Sequence, residues 1–133
     1  MSQTTRESER PWKTVLVVED EAFVRESTCE ILQNAGYRVL QAGTAGEAKN
    51  LFLNANAPID LLLCDAVLPD ENGVALADVL RWRSPGLQTI VASGYPRSVL
   101  WNEFKVSNVC QVLSKPYSAS LLLAQVKAAL RAA

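Results

Sequence analysis

Two spacings of apolar residues alternate along this chain. Short unbroken runs, Thr14–Val18, Tyr37–Ala42, Leu61–Cys64, Gln88–Ala92 and Asn108–Leu113, have the length and residue types of strands buried on both faces. Between them, core-type residues recur at helical spacing. Val24, Thr28, Ile31, Leu32 and Ala35 predict a helix over about 21–35, with Gly36 as its stop. Thr44 and Glu47 form a capping box in front of Ala48, Leu51, Phe52 and Ala55. Leu76, Ala77 and Leu80 mark a helix over 73–82 that closes at Ser84-Pro85-Gly86, and Leu122, Val126, Ala129 and Leu130 mark a last one from Ser118. The weakest helical pattern runs from Pro96 to about Lys105. Strand and helix alternating in this way predict an α/β fold, a doubly wound, five-stranded, mostly parallel sheet with right-handed crossovers.

In such a sheet the strands point one way, and function gathers outside their carboxyl ends. Glu19 and Asp20 follow the first strand, Asp65 ends the third, Ser93 the fourth, and Lys115 follows the fifth. Each alone has a bland reading: acids at a helix start, a turn-forming Asp, a solvated lysine. Their convergence on one rim argues for a working site. Clustered carboxylates repel one another unless a cation sits among them, and an all-oxygen donor set suits Mg²⁺. The set serves phosphoryl transfer onto a carboxylate: Asp65 attacks, Lys115 balances charge, and Ser93 holds a phosphoryl oxygen.

Composition narrows the alternatives. The 133 residues suit one domain, with 1–12 expected to be a polar N-terminal tail, although Trp12 can dock, and 13–133 the folded domain. The absence of histidine excludes Ser-His and Cys-His nucleophile pairs and histidine-bound metal. Cys29, Cys64 and Cys110 lack C-x-x-C spacing and read as small buried hydrophobes. A net charge of -1 without a basic cluster argues against direct nucleic-acid binding. No long apolar stretch predicts a membrane span and no signal-peptide core opens the chain, so a cytoplasmic location is expected.

From about Thr14 to Leu130 the sequence resembles the receiver domain of bacterial two-component response regulators. V-L-V-V-E-D-E resembles the family's acidic pair, L-L-C-D-A-V-L-P-D-E-N-G its phosphoacceptor strand and loop, V-A-S-G-Y its Ser/Thr switch and L-S-K-P-Y its lysine. The resemblance implies a flavodoxin-like strand order 2-1-3-4-5. It also implies a phosphoryl group taken by Asp65 from a histidine kinase or histidine phosphotransfer protein, Mg²⁺ dependence, and autodephosphorylation by water rather than turnover catalysis. Metal ligands would be Asp20, Asp65 and the Val67 carbonyl, with Glu19 more peripheral; Lys115-Pro116 would be cis. A downstream protein target is expected on the face of helix four, strand five and helix five. The V-A-S-G-Y and S-K-P-Y forms are similar to those of hybrid-kinase receivers, and both a stand-alone regulator and a receiver from a longer kinase fit.

Some positions depart from the family pattern. Val112 stands where an aromatic residue usually reports the switch, three positions before the lysine. Val67 and Tyr95, two residues after acceptor and switch, are bulky where the family gates attacking water, which predicts slow hydrolysis. Phe104 is expected in the core, whereas Trp101 can face either core or partner. Val112 favours one rival, a phosphorylation-independent pseudo-receiver that only binds proteins. A haloacid-dehalogenase-like phosphatase would need an acid two positions after Asp65, where Val67 stands. A flavin-binding module would need a Ser/Thr/Gly-rich loop after the first strand, where acids stand.

Overall fold

Thr14–Val18 forms β1, and all of its residues are buried, as an unbroken apolar run between two helical layers requires. A computed structural model describes residues 12–105 and 110–131. Among the described residues, β1 joins β2 (Arg38–Ala42), β3 (Leu61–Asp65), β4 (Gln88–Ser93) and β5 (Gln111–Ser114) in one sheet. The order is β2-β1-β3-β4-β5, with every pair parallel. Helices α1 (Ala22–Asn34), α2 (Ala45–Asn54), α3 (Gly73–Arg83), α4 (Arg97–Glu103) and α5 (Ala119–Arg131) connect and cover the strands. The flavodoxin-like fold expected from the sequence is the fold observed.

The strand period of two divides the core. Val15, Val17, Leu61, Leu63 and Ile90 pack beneath α1 and α5 with Cys29, Leu32, Leu122 and Val126. Leu16, Val18, Leu62, Cys64 and Val91 point the other way, onto Ala48 of α2, Leu76 and Leu80 of α3, and Leu100 of α4. Deleting a fully buried leucine such as Leu16 or Leu32 would cost about 2–5 kcal/mol. All three cysteines are free and buried, as their apolar settings predict.

Helix ends follow local chemistry. Gly36, at φ +99°, takes the left-handed turn that ends α1. Thr44 Oγ accepts from Glu47 N at 3.1 Å, while Glu47 reaches back to Gly43 N at 2.7 Å, one residue ahead of the usual capping-box partner. Asn72 caps α3, accepting from Val74 N and Ala75 N at 2.7 and 3.2 Å.

Helix α4 is shorter than its apolar pattern. It spans Arg97–Glu103 rather than Pro96–Lys105, because Pro96 is its uncapped N-terminal neighbour and Lys105, at φ +57°, leaves the helical region. Strand β5 begins at Gln111, the partner of Ile90; Asn108 and Val109 of the expected strand lie outside the described residues. Trp12 is exposed, and the rest of the expected 1–12 tail also lies outside. Phe104 packs against the core and Trp101 is exposed.

Candidate functional site

Parallel strands deliver their polar ends to one edge of the sheet. Here that edge carries Glu19 and Asp20 after β1, Asp65 at the end of β3, Ser93 at the end of β4 and Lys115 after β5. One carboxylate oxygen from each of Glu19, Asp20 and Asp65 lies within 4.8 Å of the other two. The Lys115 ammonium bridges two of the acids, with Nζ at 2.7 Å from both Glu19 Oε1 and Asp65 Oδ2. The second Asp65 oxygen, Oδ1, accepts from Val67 N at 3.0 Å.

Burial is uneven across the cluster. Glu19 is only 5 % exposed, whereas Asp20 faces solvent. Burial pushes the Glu19 carboxyl above its ordinary 4.5, against the opposing pull of its bonds to Lys115 and to Glu21 N. For Lys115, burial on its own favours the neutral amine, but bonds to Asp65 and Glu19 outweigh it and hold the ammonium well above its ordinary range. Lysine therefore stays a fixed positive charge against two acids. Three carboxylates and one ammonium leave the pocket negative, and its all-oxygen donors match a hard divalent ion.

Ser93 follows Ala92, the register partner of Asp65, and is 2 % exposed. Its Oγ accepts from Tyr95 N at 2.9 Å and retains a proton to donate. Lys115 N donates to Ser93 O at 2.8 Å, which ties the two strand ends together. The Lys115-Pro116 peptide is cis, as the resemblance implied.

The acids after β1 do not act as helix caps. Glu21, the N-cap of α1, makes no side-chain cap bond, and Glu19 Oε2 instead accepts from Glu21 N at 3.1 Å. The sequence did not reveal several supports of the site. Arg25, one turn into α1, donates to Glu19 O at 2.7 Å and to Gln41 Oε1 at 3.1 Å. Asp70, in the loop after β3, binds α2, accepting from Ala45 N at 2.9 Å and Gly46 N at 3.0 Å. Tyr117 OH and Thr28 Oγ1, 2.9 Å apart, join the loop after β5 to α1. Six positions separate Arg25 from Glu19, which is a faint signal; the other two contacts leave none in the spacing. Gly73 was visible in the motif, but its reason was not: an added Cβ would stand 1.9 Å from the Asp65 carbonyl oxygen.

Beside the acids, α1 and the loop after β5 frame a groove of about 420 Å³, lined by Phe23, Val24, Ile31, Pro116 and Tyr117 and reaching Lys115. No helix among the described residues is long and apolar enough to cross a membrane.

The model of the response regulator receiver domain family matches residues 15–127, and the chain belongs to that family. It is a receiver domain of two-component phosphorelay signalling, a class whose members accept phosphoryl groups and interact with histidine kinases or phosphotransfer proteins and with downstream targets. The chain is 32% identical over 114 residues to the sensor kinase CckA of Brucella abortus, an alignment covering 86% of this chain and 12% of CckA. It is 34% identical over 122 residues to the virulence transcriptional regulatory protein PhoP of Salmonella typhimurium, covering 88% of this chain and 51% of PhoP. The crystal structure of a CheY-like response regulator receiver domain protein from Methanospirillum hungatei superposes with a TM-score of 0.77 at 31% identity, covering 91% and 95% of the two chains.

Proposed function

We propose that Asp65 is the phosphoacceptor, and that Glu19, Asp20, Ser93 and Lys115 with the Val67 carbonyl complete its site. The single observation that carries this reading is the Lys115 ammonium held 2.7 Å from Asp65 Oδ2 within a cluster of three carboxylates. A carboxylate oxygen attacks phosphorus, the P–N bond of a phosphohistidine donor breaks, and the leaving imidazole keeps the electron pair. The product is an acyl phosphate. Lys115 stays beside the phosphoryl oxygens, and the Ser93 hydroxyl donates a hydrogen bond to one of them.

Asp20, Asp65 and the Val67 carbonyl would hold Mg²⁺, with Glu19 more peripheral. When bound, the ion supplies positive charge beside the transferring phosphoryl oxygens. The apolar groove on α1 adjoins Lys115, and this continuity makes it the seat for a histidine kinase or histidine phosphotransfer partner. A downstream protein target would use the face of α4, β5 and α5, where Trp101 and Leu121 are exposed. The intact acceptor set favours this reading over a pseudo-receiver.

Water returns the site to its resting state by hydrolysing the acyl phosphate, so the domain is a self-dephosphorylating acceptor rather than a turnover enzyme. Val67 and Tyr95, each 49 % exposed, sit two residues beyond acceptor and switch and slow that attack. Replacing Val67 with Asn would speed the decay, and an unchanged decay rate would remove Val67 from this role. The assignment of the acceptor is tested with a phosphohistidine donor: label should pass to the native chain in a hydroxylamine-labile form. Hydroxylamine-stable label would place the phosphoryl group on another residue type.

A further inference from the structure

The loop from β3 to α3 doubles back on itself. Gly73 N donates to Ala66 O at 2.8 Å at its base, and Val67 pairs with Asn72 as an isolated antiparallel bridge. Asp70 and Glu71 therefore stand near the tip, and both reach α2. The Asp70 carboxylate takes the first two amides of that helix, Ala45 N at 2.9 Å and Gly46 N at 3.0 Å, each by a different oxygen. Glu71 Oε1 accepts from Lys49 Nζ at 2.7 Å, one turn further along the same helix. A carboxylate on helix amides is a charge-assisted contact supported by the helix dipole.

The helix has its own cap. Thr44 Oγ already serves Glu47 N, and the exposed Gly46 amide could instead bind water. Ala45 is fully buried, so the Asp70 contact serves the helix amide and fixes the loop at the same time. A tip held at two points has one pose, and Val67, on the strand side of the Val67–Asn72 bridge, shares it. Val67 supplies the N–H that fixes Asp65 Oδ1 and the carbonyl assigned above to the metal.

We infer that Asp70 is a positioning residue for cation binding at the acceptor site: by clamping the loop to the N-terminus of α2 it holds the Val67 backbone where Asp65 and the metal need it. The inference rests on the acceptor reading of the preceding section. It also makes α2 a partner of the acceptor loop, so that its first turn should sense occupancy of the site.

The test is a Mg²⁺ titration of the native chain and of Asp70→Ala, Asp70→Asn and Thr44→Ala, followed by backbone amide resonances. Loss of a group that orients metal ligands commonly weakens metal binding, and Asp70→Ala should raise the Mg²⁺ dissociation constant about tenfold. Asp70→Asn, which keeps one acceptor oxygen, should fall between the two. Thr44→Ala removes the other cap of the same helix without touching the loop, and should leave the constant unchanged while lowering stability. The Ala45 and Gly46 amides should shift with Mg²⁺ in the native chain and stay still in Asp70→Ala. Unchanged affinity in Asp70→Ala, or an equal loss in Thr44→Ala, would overturn the clamp alone. A native chain that binds no Mg²⁺ would overturn the acceptor reading and the clamp with it.

Discussion

Lys115 Nζ and Asp65 Oδ2 lie 2.7 Å apart although 50 positions of sequence separate them. The contact exists because β3 and β5 flank β4 in a parallel sheet, which brings both carboxyl ends to the same edge. It joins a carboxylate oxygen to a cation that cannot lose its proton at physiological pH. The same ammonium holds Glu19 at equal distance, so one charge organises two acids.

Replacing Lys115 with Met keeps much of the stem and removes the charge. Phosphorylation of Asp65 by acetyl phosphate should then slow by about a hundredfold, the scale on which preorganised charge stabilisation acts. Arg should not restore the rate, because its planar fork cannot reproduce a compact ammonium placed between two carboxylates. A time course of intact mass measures both variants; a Met variant that reacts at the native rate would remove Lys115 from the chemistry.

Gly73→Ala tests how tightly the acceptor loop is folded. Its Cβ would lie 1.9 Å from the Asp65 carbonyl oxygen, a backbone atom that can move only by displacing the end of β3. The expected loss is about 3 kcal/mol, at the upper end of ordinary overpacking, read from urea unfolding. Gly86→Ala is the control, since nothing lies within 4 Å of its added carbon and its stability should be near native. Equal midpoints for the two variants would contradict the close approach.

Asp70 gives a pH signature in the same measurement. Its bonds to the Ala45 and Gly46 amides hold its carboxyl below the ordinary 3.8. An acid whose folded pKa is lowered stabilises the fold above its unfolded value, and that contribution fades as pH falls through the lower folded value. The difference in urea midpoint between native and Asp70→Asn should therefore be present near neutrality and close below pH 3.8. A difference independent of pH would show that the carboxylate charge plays no part.

How much of this was legible in the sequence depended on range. Thr14–Val18 shows its own boundaries, because an apolar strand ends where three consecutive acids begin. Asp65, Ser93 and Lys115 were legible for the same reason, as polar residues closing apolar runs whose direction a parallel sheet dictates. Helix α4 was poorly drawn because its seven residues hold only one buried side chain, Leu100, too few to set a period. The supports were hidden for a different cause. Asp70 reaches a helix 25 positions away, and Tyr117 a threonine 89 positions away. Such contacts depend on how loops fold over the sheet edge, which no local pattern encodes. Val112, set where the family usually has an aromatic, is half-buried, while the Tyr95 and Phe104 rings meet at a tilt of 40° with centroids 5.7 Å apart. That aromatic contact joins the loop after β4 to the end of α4, and it too has no signature in spacing.

The most direct measurement is intact mass after incubation with acetyl phosphate, with and without Mg²⁺, for the native chain and Asp65→Asn. The account predicts one added phosphoryl group on the native chain in the presence of Mg²⁺, and none when either Mg²⁺ or the Asp65 carboxylate is removed. A native chain that stays unmodified while folded and Mg²⁺-bound, or an Asp65→Asn variant that gains the group at the native rate, would contradict it.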